Sequence, residues 1–580
     1  MARKQNQAKG NAAPAIVQWR FITVLVVVAI VFSGLAVRAA YIQVINPDML
    51  IKQGDKRVVR TRQSMVHRGI IYDRNGEELA VSVPVRAVWA DPKTIHKHNA
   101  LNDVRRWEAL ADVLGQDLDK VLERIKNPAR RFVYIQRQVS PAMANYVKQL
   151  DIPGVYLRNE SRRYYPSGEV SAHLIGFTDV DDRGLEGIER IYHDILSGTP
   201  DKRKILKDAK NRQVEVLTES EGKKPEDIHL TIDQRIQALT YKELKQSVAS
   251  LRATSGSAVV ANVHTGEILA LVNSPSFNPN NRKGVAAHRI RNRAITDTFE
   301  PGSTIKPLAV LSALEFGSVD MNTKIDTAPG WMRLGGSIVR DSRNYGEMDL
   351  THIIQKSSNM GTSKLALSVP KQQFIDLYYE LGLIGDSGSN LLGESGGIFH
   401  ERRRWSDFEL ATLSFGYGLS VTTLQLARMY TTLGSGGIRR PLSIIKSSQE
   451  VEGERALSTS TARAVVDMME HVILDGGTGT KAQVPGYRVA GKTGTSRKAV
   501  AGGYGEEYVN IFAGLAPVSA PEVVVVVLIN EPSGDLYYAG DTAAPVFSKV
   551  MSGTLQLLNI PPDDKNVSSL AAIRRARDDS

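Results

Sequence analysis

The chain has no cysteine among its 580 residues. That excludes disulfides, a thiolate-bound metal and lipoprotein attachment, while permitting an oxidising compartment without fixing one. Long apolar runs are also scarce, with one near the N-terminus and no second span. Zinc-finger, RNA-recognition and helix-turn-helix signatures are missing. The net charge of +11 is spread along the chain, so a basic surface alone gives no reason to expect nucleic acid; solubility, anionic lipid or an acidic wall polymer suit it equally.

The one apolar run is Phe21 to Val37, free of charge, bracketed by Arg20 and Arg38 and edged by Trp19 and Tyr41. With snorkelling arginines and flanking aromatics it is long enough to span a bilayer. No Ala-x-Ala site follows, which favours an uncleaved anchor over a signal peptide. Arg3, Lys4 and Lys9 precede it, so the N-terminus is expected in the cytoplasm and everything after about residue 40 outside.

Size suggests two or three domains. The expected partition is a tail over 1–16, an anchor over 17–40, a non-catalytic domain over 41–225, a second domain over 226–562 and a solvated tail over 563–580. In the first domain, Asn75-Gly76 between Ile70–Tyr72 and Leu79–Val83 reads as a hairpin. Nothing there pairs a nucleophile with a base, and Arg68, Asp73, Glu186 and Glu189 are expected to form framework ion pairs. After Lys223–Asp227 come a strand at Ile228–Ile232, a helix at Gln234–Leu251 and a hairpin of buried strands at Ala258–Val263 and Ile268–Val272. A mostly helical stretch follows to about 475, and strands return at Tyr487–Ala490 and Val523–Ile529. A sheet built from both ends of a domain, with helices between, is an α+β arrangement.

The chemistry centres on Glu300-Pro301-Gly302-Ser303-Thr304-Ile305-Lys306-Pro307. The Pro-Gly turn and the apolar run Leu308–Leu314 place Ser303 and Lys306 in the first turn of a helix, on one face. A desolvated lysine can then serve as base to a serine nucleophile without any histidine. Three more Ser-x-x-Lys pairs exist, Ser220/Lys223, Ser368/Lys371 and Ser443/Lys446. They fall in a polar loop, across a proline and in a β-branched stretch, so Ser303 is preferred.

Two further motifs complete a site. Ser357-Ser358-Asn359 lies in a helical-looking segment; its first hydroxyl can relay a proton and its amide can hold a substrate backbone. Ser276/Asn278 and Ser342/Asn344 match the same pattern but lie in turn sequence. Lys492-Thr493-Gly494-Thr495, following the strand Tyr487–Ala490, offers a lysine and two hydroxyls along an edge strand to a substrate carboxylate. Lys492 would also help keep Lys306 neutral by repulsion.

In this order and spacing the three motifs resemble those of penicillin-binding proteins and serine β-lactamases. The anchor, Arg68 to Gly76, Gly184 to Glu189, Phe299 to Ser303, Gly416 to Thr422 and Gly476 to Ala482 extend the resemblance to class B penicillin-binding proteins over nearly the whole chain, most closely to division-specific members of Gram-negative bacteria. The resemblance implies a transmembrane helix in the inner membrane, an elongated mixed α/β pedestal and a periplasmic transpeptidase domain with an antiparallel sheet and flanking helices. It implies a peptidoglycan DD-transpeptidase that cross-links stem peptides ending in D-Ala-D-Ala at the septum and is acylated by β-lactam antibiotics. Ser303, Lys306 and Ser357 would be catalytic, while Asn359, Lys492, Thr493, Gly494 and Thr495 would bind substrate, with the N–H groups of Ser303 and Thr495 as oxyanion hole. No metal or cofactor is called for. A SEDS-family glycan polymerase and other division proteins are the implied partners. A DD-carboxypeptidase or β-lactamase using the same site, and a β-lactam-sensing receptor, are the alternatives. Thr423 stands where the family more often has proline, and Ser496 where alanine is common.

Overall fold

The computed structural model describes residues 18–45, 59–63, 67–199, 201–208, 212–447, 449, 451–500, 502–534 and 536–564. The tail expected over 1–16 falls outside these, as does all of the tail expected over 563–580 except 563 and 564. By its internal contacts the chain divides into two units, 1–66 with 199–224, and 67–198 with 225–580.

The first unit holds the apolar helix Gln18–Ala40, continued by a wider turn over Tyr41–Ile45. None of its helical side chains is buried. The stretch Gln18–Gln43 is the one helix among the described residues long and apolar enough to cross a membrane; at 1.5 Å per residue it is roughly 39 Å long, against about 30 Å of hydrocarbon. The unit also contains an antiparallel sheet of Val59–Gln63, Lys202–Lys207 and Gln213–Ser220.

In the second unit the hairpin expected around Asn75-Gly76 is present, with Ile71 opposite Ala80 and Tyr72 opposite Glu78. Gly76 supplies the positive φ of 91° that this turn requires. The long strand Glu78–Ala90 pairs with Val133–Val139 and Val155–Tyr164. Ile228–His229 then adds in parallel to Ile71–Tyr72, so the segment leading into the second domain is a strand of the first domain's sheet. It is shorter than the expected Ile228–Ile232.

The four framework residues divide. Arg68 Nε and Arg163 Nε each lie 2.6 Å from a different oxygen of Glu189, and all three side chains are at most 1% exposed. Among the described residues Asp73 forms no ion pair; its carboxylate accepts from the backbone N–H groups of Asn75, Glu77 and Gln234, tying the hairpin turn to the helix that begins at Gln234. Glu186 is exposed and among the described residues forms no ion pair. A short acidic side chain beside a turn meets main-chain donors before it meets a distant arginine.

The site is carried by eleven elements. In chain order they are helix α1 (Gln234–Ser250), strands β1 (Ser255–Asn262) and β2 (Ile268–Ser274), and helices α2 (Pro307–Glu315), α3 (Leu350–Lys356), α4 (Asn359–Ser368) and α5 (Thr423–Gly434). Strands β3 (Ala490–Val500), β4 (Gly503–Ala516) and β5 (Val523–Asn530) and helix α6 (Ala539–Leu557) follow. The sheet order is β2-β1-β5-β4-β3, antiparallel throughout. Strands from both ends of the domain thus join in one sheet, as expected, with β1 beside β5.

Both faces of this sheet are buried, which is why β5 reads as an unbroken apolar run. Val259, Ile511, Val524 and Val526 face one core with Leu311 of α2 and Leu424 of α5. Their alternates Val260, Phe512, Val525 and Val527 face a second core with Leu244 of α1 and Phe547 of α6. Helix α6 has no counterpart in the sequence reading. Gly540, Pro545 and Gly553 are poor helix formers, yet Ala543, Phe547, Val550 and Leu555 give it an apolar face at helical spacing. Packing outweighs propensity there.

Candidate active site

Ser303 lies on a 3₁₀ turn, Gly302–Ile305, that runs into α2. Tyr430 Oη of α5 donates to the Thr304 carbonyl (2.8 Å) and Thr304 Oγ1 to that of Pro301 (2.7 Å), so the turn is pinned from below. Ser303 stays partly exposed, whereas Lys306 is 1% exposed. The expected first helical turn is therefore the tighter 3₁₀ form, because proline at 307 opens the α-helix proper.

Ser357 does not sit inside a helix. It closes α3 in the left-handed region (φ 61°), Ser358 caps α4, and Asn359 begins it. This break turns the Ser357 side chain and carbonyl toward Lys306: Lys306 Nζ donates to the carbonyl oxygen and, at 3.0 Å, to Oγ. Lys492 Nζ reaches the same Oγ at 3.0 Å and the Thr493 carbonyl at 3.2 Å. Two buried lysines from different motifs thus converge on one hydroxyl. Among the described residues, Lys306 is bonded to Ser357 and not to Ser303.

Lys492-Thr493-Gly494-Thr495 lies within edge strand β3, not after a strand ending at Ala490; Tyr487 makes only an isolated bridge with Val484. Gly494 is what allows the edge strand to lie against the Ser303 turn. A Cβ there would stand 2.7 Å from Thr304 Cγ2 and 2.9 Å from the Pro301 carbonyl. Gly416 does the same from the other side, where a Cβ would fall 2.1 Å from the Gly302 carbonyl. Thr493 Oγ1 is 2.7 Å from Thr478 Oγ1, and Thr495 Oγ1 accepts from the N–H of Ala539, so both hydroxyls are held in place by neighbouring segments.

Burial pulls the Lys306 ammonium down to about 7, and the charge of Asp341 opposes that fall. Lys492 is pulled well below its ordinary value, first by burial and then by repulsion from Lys306. At neutral pH the pair therefore favours a state with at least one neutral amine, which is what a lysine needs to act as base.

Asp341 is the residue the sequence reading missed. Its carboxylate accepts from Ser358 Oγ (2.6 Å) and from the N–H groups of Asn359 and Met360, closing the N-terminus of α4. The adjacent Arg340 carbonyl accepts from Asn359 Nδ2 (2.8 Å). The hairpin Trp331–Leu334/Ser337–Arg340 delivers these acceptors from 17 residues upstream of Ser358, a pairing no local pattern announces.

The competing motif copies are engaged elsewhere. Ser368 bonds Ser318, Lys371 the Asp407 carboxylate, Lys446 the Arg74 carbonyl, Ser276 the Glu169 carbonyl and Ser342 the Tyr345 hydroxyl. Thr423 Oγ1 meets Ser257 Oγ at 2.8 Å, and Ser496 Oγ donates to the Glu300 carbonyl at 2.9 Å.

A doubly covered antiparallel sheet, with a Ser-x-x-Lys turn under its glycine-bearing edge strand and a third motif facing both, defines the class of active-site-serine penicillin-recognising proteins. A penicillin-binding protein transpeptidase domain model matches residues 256–552, and a penicillin-binding protein dimerisation domain model matches residues 63–230. The chain belongs to the penicillin-binding protein transpeptidase family. It is similar to the peptidoglycan D,D-transpeptidase FtsI of Escherichia coli K12, 48% identical over 97% of both chains. The probable peptidoglycan D,D-transpeptidase PenA of Neisseria gonorrhoeae is 40% identical over 97% of this chain and 96% of that one. Among solved structures, penicillin-binding protein 3 of Mycobacterium tuberculosis superposes with TM-score 0.66 at 26% identity, covering 87% of this chain and 98% of that one. The transpeptidase domain of Burkholderia pseudomallei penicillin-binding protein 3 does so with TM-score 0.54 at 39% identity, covering 58% and 97%.

Proposed function

We propose that this chain is a septal peptidoglycan DD-transpeptidase working through an acyl-enzyme on Ser303. The observation that carries the reading is the convergence of buried Lys306 and Lys492 on Ser357 Oγ, each at 3.0 Å, beside the partly exposed Ser303. Neutral Lys306 takes the Ser303 proton as Oγ attacks the carbonyl of the penultimate D-Ala. The N–H groups of Ser303 and Thr495 receive the developing oxyanion. Ser357 passes the proton on to the departing D-Ala amine. The amine of a neighbouring stem then attacks the ester, returns Ser303 and keeps the free energy of the cleaved amide in the new one. Asn359 orients the stem backbone, and Lys492, Thr493 and Thr495 receive the terminal carboxylate along β3, with Gly494 allowing the strand to lie close. A β-lactam would acylate Ser303 by the same attack.

The relatives named as D,D-transpeptidases over nearly the full length support this reading over a hydrolase or a receptor. The apolar Gln18–Gln43 stretch supports a single-pass inner-membrane anchor with the N-terminus in the cytoplasm and the catalytic domain in the periplasm. In this reading 41–225 is a non-catalytic pedestal, 226–562 the transpeptidase domain, and a SEDS-family polymerase supplies the glycan strands. Intact-mass spectrometry after incubation with benzylpenicillin tests the site. A stable adduct absent from Ser303→Ala is expected; no adduct and no drug turnover in a folded sample overturns Ser303 as nucleophile.

A further inference from the structure

Between the segment 470–489 and helix α6 lies a groove of about 860 Å³ that none of the eight site residues lines. It is at the upper end of the roughly 300–1,000 Å³ typical of pockets that bury a whole ligand. Its apolar wall comes from Ile473, Leu474, Val484, Pro485, Val489 and Pro545. Leu474 is 44% exposed and Pro485 is exposed beside it. A contiguous apolar surface with a polar rim marks an interaction site.

The course of the chain points to what covers it. After α6 the backbone returns along the groove. Tyr487 Oη donates to the Ile560 carbonyl (2.6 Å), Asp563 Oδ1 accepts from the Arg488 N–H (2.7 Å), and the Asp564 N–H donates to the Gly486 carbonyl (3.1 Å). Asp564, the last described residue, itself lines the groove. The apolar run Leu570-Ala571-Ala572-Ile573 starts within about 20 Å of chain from it. Arg574, Arg575 and Arg577 follow, and the acidic pair Asp578-Asp579 comes only after them. Charge agrees with this order. The lining cations Lys481 and Arg488 are already paired with Asp541 and Glu470, while Asp467 and Asp563 add negative charge beside Arg488. An apolar wall with an acidic rim thus faces a segment that is apolar first and basic next.

We propose that the segment Val567–Arg577 of this chain folds back into the groove, with Leu570 and Ile573 against Leu474, Pro485 and Pro545 and its arginines toward Asp467 and Glu470. The expected solvated tail is then a docked one. Its seat adjoins both supports of the β3 hydroxyls. Thr480 and Lys481 line the groove, and Thr478 of the same loop meets Thr493 Oγ1. Lys481 ties that loop to Asp541 of α6, whose first N–H, that of Ala539, donates to Thr495 Oγ1. Docking therefore braces the strand proposed to receive the substrate carboxylate; this consequence rests on the transpeptidase reading, whereas the docking itself does not.

The test is hydrogen–deuterium exchange, read by mass, on the detergent-solubilised full chain, beside Leu570→Asp/Ile573→Asp and Arg574→Glu/Arg575→Glu. Peptides covering 473–488 and 567–577 are expected to exchange about tenfold faster in both variants, with α2 and β5 unchanged as the check on folding. Leu474→Arg, made on the groove side, should release 567–577 in the same way. The proposal is overturned if 567–577 exchanges in the parent at the rate of an unstructured peptide, or if the tail variants leave 473–488 unchanged. Protection that falls on dilution overturns it too, because the groove then holds the tail of a second copy. Benzylpenicillin acylation is timed on the same samples and should slow about threefold or more in the tail variants; a parent that does not acylate defeats the transpeptidase reading, and exchange still judges the groove.

Discussion

Lys306 is installed at a cost to the fold, and removing it should reveal how large that cost is. Burial brings this ammonium from an ordinary 10.5 down to about 7. At about 1.4 kcal/mol per tenfold in protonation, housing it at neutral pH costs on the order of 4–5 kcal/mol relative to an exposed lysine. The unfolded chain holds that proton up to about 10.5 and the folded chain only up to about 7. Between those values the unfolded state binds more protons, so stability rises with pH across that window and the full cost is present below it. Lys306→Met keeps most of the volume and removes the charge, but it gives up the bonds to Ser357, worth about 0.5–1.5 kcal/mol each. The net expectation is a gain of roughly 1–4 kcal/mol at pH 6.5 that shrinks toward pH 9.5, with acylation lost. Urea unfolding of parent and variant at the two pH values measures it. A variant no more stable than the parent at pH 6.5, or a gain that does not shrink with pH, refutes the reasoning.

Other substitutions probe the supports of the site. Asp341→Asn removes the charge that holds the Lys306 proton on, so the acid limb of the acylation-rate profile should move to lower pH while the rate itself falls as α4 loses its carboxylate cap; stopped-flow acylation across pH reads both. Gly494→Ala puts a Cβ against Thr304 and the Pro301 carbonyl and should slow acylation tenfold or more with little change in the unfolding midpoint, since an edge strand can shift outward. Glu189→Gln leaves Arg68 and Arg163 buried without their counter-ion and should cost about 3–5 kcal/mol in urea unfolding; an unchanged midpoint would show that the pair is dispensable.

The parts of the molecule that were legible in the sequence are those whose structure follows from neighbours along the chain. Asn75-Gly76 dictates its turn, and the apolar Val523–Ile529 run announces a strand. The Ser303–Lys306 turn follows from Pro301-Gly302 and the apolar residues after it. Less legible were features set by tertiary contact. Gly491 and Gly494 look like the end of a strand, but they lie inside β3 because Phe512 and Thr304 press on them. Ser357 reads as helical in sequence, yet the acceptors of Asp341 and Arg340, brought by a remote hairpin, fit a chain that breaks there. Helix α6 contradicts its own Gly and Pro content because the sheet offers it a face to cover. Charge pattern suggested ion pairs for Asp73 and Glu186, where turn N–H groups and solvent take their place.

The central claim is that Ser303 passes an acyl group to an amine. The most direct measurement is mass analysis of products from a stem pentapeptide ending in D-Ala-D-Ala, incubated with the membrane-solubilised chain with and without an acceptor amine. A cross-linked or amine-capped product with one equivalent of D-Ala, absent from Ser303→Ala, is the predicted result. Hydrolysed peptide alone whatever the acceptor, or penicillin acylation with no turnover of the stem, would contradict it.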